Sequence, residues 1–126
     1  MKPSNLEFSR NVFINCPFDP ELVPLLRPLL FTVLFLKFNP RIALERFDSG
    51  EARINKICEL IRGSRYSIHD ISRMRSRKKG EYYRMNMPLE LGIDIGCRLV
   101  DEGALQSKIC LILDQEKYRY QTNEYL

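Results

Sequence analysis

Tyr66-Ser67-Ile68-His69-Asp70, then a basic loop, then Asn86-Met87-Pro88-Leu89-Glu90-Leu91-Gly92: this succession decides the fold. A short apolar run ending in ionisable side chains, followed by a helix that carries a carboxylate among apolar residues, is how open α/β sheets build sites at the carboxyl ends of their strands. Tyr66 to Asp70 reads as a strand. Asn86 to about Val100 reads as a helix, with Asn86 as its cap, Pro88 in its first turn and Leu89, Ile93, Cys97 and Val100 on one face.

Working upstream, Glu51 to Arg62 has Ile54, Ile57, Cys58 and Ile61 at the 3.6-residue period, Ser49 or Asp48 as a cap and Gly63 as a stop. Arg41 to Glu45 reads as a short strand after Asn39-Pro40. Glu21 to Phe38 has helix length, but Pro24 and Pro28 fall inside it, so the regular helix is expected to begin near Pro28. Asn11 to Cys16 is a β-prone run closed by Pro17 and Asp19-Pro20. Downstream, Lys108 to Asp114 is a fourth, strongly apolar strand. Strands alternating with helices of ten residues or more imply βαβ units and an open parallel sheet of about four strands with helices on both faces. Gln115 to Leu126 is polar and tyrosine-rich and offers no closing amphipathic helix. One sheet face is therefore expected to lack its cover, for which a truncated chain, a lost segment and a partner subunit are the three accounts.

The 126 residues fit one α/β domain, 1–126, and 44% hydrophobic residues suffice for one core. Twenty basic against 16 acidic residues leave +4, mild for a dedicated nucleic-acid binder. Cys16, Cys58, Cys97 and Cys110 lie far apart inside apolar segments and read as buried, reduced thiols of a cytoplasmic protein. The amino terminus has no signal-peptide core. The apolar run Leu29 to Leu36 is well short of the roughly 20 residues that span a bilayer, so no membrane partner is expected. Neither GxGxxG nor GxxxxGK occurs, and no metal-ligand spacing is present.

In a parallel sheet every strand-to-helix loop emerges at one edge, which gathers Asn15, Asp19, His69, Asp70, Ser72, Arg73, Asn86 and Glu90. Glu90 carries the sharpest signal, either as a site carboxylate that attacks or stabilises a developing cation, or as a helix-start acid in a capping box. Asp70 either meets sugar hydroxyls or a base edge, or caps its own turn. His69, the single histidine, points to the face opposite Asp70 by strand alternation and reads as packed imidazole. Asn15 to Asp19 is a compact loop able to present donors and a carboxylate to a ligand, or simply a turn. Cys16 lacks a partner that would make it a nucleophile. Arg73, Arg75, Arg77, Lys78, Lys79 and Arg84 place six positive charges in twelve residues, a solvated loop or a phosphate contact.

Val12-Phe13-Ile14-Asn15-Cys16-Pro17-Phe18-Asp19, Ile68-His69-Asp70-Ile71-Ser72-Arg73 and Asn86-Met87-Pro88-Leu89-Glu90-Leu91-Gly92 resemble a family of small, mostly uncharacterised bacterial proteins. More distantly, the layout is similar to the flavodoxin-like TIR domains and nucleoside 2-deoxyribosyltransferases. That resemblance implies a flavodoxin-like fold and cleavage or transfer across an N-glycosidic bond of NAD or a nucleoside, with Glu90 catalytic. Placement at the sheet edge adds Asp19, Asn15, Ser72, Arg73 and Asn86 as expected substrate contacts, with no resident cofactor and no metal, whereas the resemblance itself implies Asp70. It also implies a homo-oligomer and, through the TIR likeness, a role in bacterial defence. The positions just ahead of Glu90 differ from both groups: Arg84-Met85-Asn86-Met87 stands where the transferases carry Asp-Gly-Thr, and the chain has no tryptophan. A non-catalytic nucleotide-binding or signalling module using the same edge is the alternative, and nucleic acid is the alternative partner.

Overall fold

In the computed structural model, which describes residues 4–43, 52–72, 78–80 and 86–115, the chain alternates helix and strand. The elements are α1 (Asn5–Arg10), β1 (Asn11–Asn15), α2 (Val23–Phe35), β2 (Asn39–Arg41), α3 (Arg53–Arg62), β3 (Tyr66–Asp70), α4 (Asn86–Val100) and β4 (Ile109–Leu113), with a 3-10 turn at Ala104–Ser107. The four strands form one open sheet in the order β2-β1-β3-β4, and every pairing is parallel. This is the flavodoxin-like arrangement. Asn15 stands level with His69 in the β1–β3 register, so both strands end at one height.

Two clusters make the core, one on each face, because successive side chains of a strand point to opposite sides. Val12, Ile14 and Ile68 turn to one face and meet Val33 of α2. Phe13 turns to the other and meets Ile57, Leu60 and Ile61 of α3, with Ile93 and Cys97 of α4 against them. Each such side chain, fully buried, contributes about 1.5–3 kcal/mol.

Several boundaries differ from those read off the chain. The α2 helix starts at Val23, five residues before Pro28. Pro24 occupies its first turn, where no N–H is needed, and Pro28 removes one interior bond without ending it, so the apolar packing of α2 outweighs that loss. Strand β2 begins at Asn39 and includes Pro40, which an edge strand accommodates. Ala52, with no side-chain bond to the helix, stands at the cap position of α3, while Asp48 and Ser49 lie outside the described residues. The six-residue α1, closed by a capping box between Ser4 and Glu7, has no counterpart in the sequence reading.

The face of α4 is the main correction. Met87, Glu90, Leu91 and Asp94 are its buried residues, whereas Leu89 and Val100 are exposed. The inward stripe is rotated from the apolar one and carries two carboxylates into the protein. On the α2 side, Ile109 and Leu111 of β4 remain 54% and 53% exposed, and Phe31 and Phe35 of α2 stack on one another at the surface. Apart from Gln115, the chain end on which the expectation of a bare sheet face rested lies outside the described residues. No helix among the described residues is long and apolar enough to cross a membrane.

Candidate functional site

The carboxyl end of β1, Ala43 after β2 and the starts of α3 and α4 line a cleft of about 300 Å³. The loop after β1 supplies Cys16, Pro17, Phe18 and Asp19 to its wall, and α4 supplies Asn86, Met87 and Glu90. Asn15 of β1 and Arg53 of α3 complete the polar lining. Four of the expected site residues, Asn15, Asp19, Asn86 and Glu90, are thus brought together. Asp70 and Ser72 are not among the lining residues. Asp70 is buried and accepts a bond from the Ser72 backbone N–H at 2.9 Å, the local turn-capping arrangement. Arg73 and most of the basic loop lie outside the described residues.

Glu90 is 4% exposed. Because α4 begins at Asn86, Glu90 falls in the second turn and not at the helix start. Burial pushes its carboxyl from 4.5 up to about 7, against the opposing pull of the Arg53 charge and of a side-chain hydrogen bond with Asn86. A carboxyl so placed exchanges its proton near neutrality, which is what acid–base work requires. Cys16 goes the other way in usefulness. Burial, with the Asp70 charge beside it, pushes its thiol up to about 12, so it is no nucleophile. All four cysteines are free thiols; only Cys16 is fully buried, the others being half-buried.

Behind the cleft wall runs a buried polar chain. Asn15 Nδ2 donates to the Met87 carbonyl at 3.0 Å and lies 2.9 Å from His69 Nδ1. His69 Nε2 lies 2.8 Å from Asp94 Oδ2, and Lys108 Nζ lies 3.1 Å from Asp94 Oδ1. The Lys108 ammonium also donates to the carbonyl of Ile61, at 2.8 Å, and to that of Ser64. His69, Asp94 and Lys108 are all at or near zero exposure. Burial raises Asp94, but the His69 hydrogen bond, the Lys108 charge and the Ser67 hydroxyl pull harder and hold it at about 2.

His69 does face away from Asp70, as strand alternation requires, and it is packed edge-on against Phe13. What the sequence reading lacked was its partners. Asp94 sits one turn after Glu90 and Lys108 immediately precedes the apolar β4; both resemble surface charges when only hydropathy is counted. Arg53 was missed for the same reason. The i,i+4 spacing of Glu90 and Asp94 was the one available signal that they share a face.

His69, Asp94 and Cys110 place one donor atom each within 4.8 Å of one another, a grouping that invites a metal. These residues do not fit one. The Lys108 ammonium already sits against Asp94 Oδ1, and burial raises the Cys110 thiol, disfavouring the thiolate a metal binds. Comparison with protein-family models, with curated proteins and with solved structures gave no match.

Proposed function

We propose that this protein binds a nucleotide or nucleoside in the cleft and cleaves or transfers across its N-glycosidic bond, with Glu90 as the reacting carboxylate. The observation that carries this reading is Glu90 itself, a buried carboxyl at the carboxyl edge of a parallel sheet, raised to about 7 and lining a cleft with Asn15, Asp19 and Asn86. Both its ionised and its protonated forms are then present near neutral pH. As the C–N bond breaks, its electron pair leaves with the base and positive charge develops on the ribosyl carbon, where water in cleavage, or a second base in transfer, forms the new bond. An ionised Glu90 in a site poor in water stabilises that charge, and a cationic base such as the nicotinamide of NAD itself favours the ionised form. A neutral base must be protonated as it leaves, and the protonated fraction of Glu90 supplies that proton.

In this reading Asp19, Asn15 and Asn86 meet ribose, and Arg53, which lines the same cleft, meets a phosphate. Asp70 and Ser72 contribute through the turn they form after β3. The likeness to TIR domains adds bacterial defence to the proposal as its setting. The test is incubation with NAD and, separately, with deoxynucleosides, followed by chromatography for free base, using wild type and Glu90→Gln. Release by wild type and at least a hundredfold less by the variant is expected. Nucleotide binding without release by wild type would instead make the chain a binding module.

A further inference from the structure

We infer that His69 is a positioning residue for Glu90: held by Asp94, which is itself paired with Lys108, its unprotonated Nδ1 orients the Asn15 amide, which ties β1 to the Met87 carbonyl at the start of α4. The inference deepens the reading of Glu90 as the reacting carboxylate and rests on it for its importance. Its support is the direction that each hydrogen bond from Met87 to Asp94 must take.

The Met87 carbonyl can only accept, so the Asn15 atom 3.0 Å away is the amide nitrogen. Its second hydrogen then falls on His69 Nδ1, 2.9 Å away, which must offer a lone pair. The imidazole proton is left on Nε2, facing Asp94 Oδ2. The Lys108 ammonium donates to the carbonyls of Ile61 and Ser64 and forms an ion pair with Asp94 Oδ1. Every group in the chain has thus one workable polarity, running from Lys108 to Met87. The sole atom of Asn15 left without a partner is Oδ1, buried. An amide accepts an unmet buried acceptor only where its neighbours dictate the orientation.

Asn15, Met87 and Glu90 line one cleft, and Met87 stands three residues before Glu90 on α4. The Asn15–Met87 bond joins the two sides of the cleft wall beside Glu90. Releasing it opens that wall and returns Glu90 toward an ordinary carboxylate. The charged and titratable groups sharing Glu90's surroundings are Arg53 from α3 and Asp19 and Cys16 from the loop after β1; those around His69 are Asp94 from α4, Lys108 before β4 and Cys110 within it. None but His69 reaches both Asn15 and Asp94.

Because His69 is the single histidine of the chain, its ring nitrogens can be read directly by 15N NMR. The expected result is a proton on Nε2 and none on Nδ1 in the wild-type protein; a proton on Nδ1 overturns the inference. In parallel, 13C-carboxyl NMR follows the titration of Glu90 in wild type, His69→Leu and His69→Asn. Leucine fills space but accepts nothing from Asn15, whereas the asparagine amide oxygen stands near the place of Nδ1. The Glu90 midpoint is expected to fall by one pH unit or more in His69→Leu and to stay near the wild-type value in His69→Asn. An unchanged midpoint in folded His69→Leu, or an equal fall in both variants, overturns the inference. If neither variant folds, the wild-type tautomer decides. No step depends on turnover, so failure to cleave any nucleotide refutes the proposed activity while these readouts judge the positioning role separately.

Discussion

Replacing Glu90 by glutamine should change how stability depends on pH, and the sign and size follow from the site. The folded-state value of Glu90, about 7, lies above the ordinary 4.5 of an exposed glutamate. A group raised in this way lends stability that is fully present below about pH 4.5 and is lost as pH rises to about 7, beyond which the loss is complete. At about 1.4 kcal/mol per pH unit, the interval between the two values corresponds to about 3 kcal/mol. Glutamine is neutral throughout and has nearly the same shape. Urea unfolding of both proteins at several pH values between 4.5 and 8.5 gives two stability curves, and their difference isolates Glu90 from every other titrating group. Glu90→Gln should gain about 3 kcal/mol on wild type across this range, nearly all of it below pH 7.5. A difference that stays flat within about 0.5 kcal/mol would show that Glu90 is no more buried in solution than an ordinary glutamate. The proposed chemistry would then lose its basis.

The second buried acid of α4 should respond in the opposite sense. Asp94 is held at about 2, below its ordinary 3.8, so its contribution is present above about pH 4 and is lost as pH falls through about 2. Asp94→Asn, which strands the Lys108 ammonium in the interior, should cost about 3–5 kcal/mol in urea unfolding at pH 7, and adding Lys108→Met should recover most of that. A loss below 1 kcal/mol would mean that the pair is solvated. The exposed Ile109 and Leu111 on β4, the last strand in the sheet order, should drive self-association of the chain. Sedimentation velocity should then show a mass above the monomer for wild type and a monomer for Leu111→Lys, and a monomeric wild type at high concentration would refute this.

What could be read from the residues alone was set by periodicity. The runs at 11–16 and 66–70 alternate between two buried faces, and β-branched and aromatic residues next to turn formers mark them plainly; β1 and β3 lie where expected. The alternation also placed His69 opposite Asp70. Periodicity failed on α4, where Leu89 and Val100 look inward by hydropathy and yet are exposed. A carboxylate counts as polar in any hydropathy pattern, but Asp94 is buried because Lys108 and His69 neutralise and bond it, and those partners are 14 residues downstream and 25 upstream. Long-range pairing of that kind leaves no local trace. The cleft was legible in part: Asn15, Asp19, Asn86 and Glu90 converge because parallel strands all deliver their loops to one edge. Asp70 was grouped with them on the same argument, and its turn with Ser72 keeps it from the lining.

Glu90 and Asp94 lie one turn apart on the same face of α4, and both are nearly inaccessible to water. Burial raises both carboxyls, so burial cannot be what separates them. The difference lies in their partners. Asp94 has an ammonium, an imidazole N–H and a hydroxyl, and it is held at about 2; Glu90 has one amide and the charge of Arg53, and it stands at about 7. Environments that push two like groups apart assign them different work. Held at about 2, Asp94 keeps its charge near neutrality, so it can organise its neighbours but does not exchange a proton there. Glu90 is the one carboxyl of the pair with a proton to give or take near neutrality, and it is also the one that lines the cleft. The strongly paired acid therefore belongs to the scaffold, and the weakly paired one is where chemistry in this protein has to be sought.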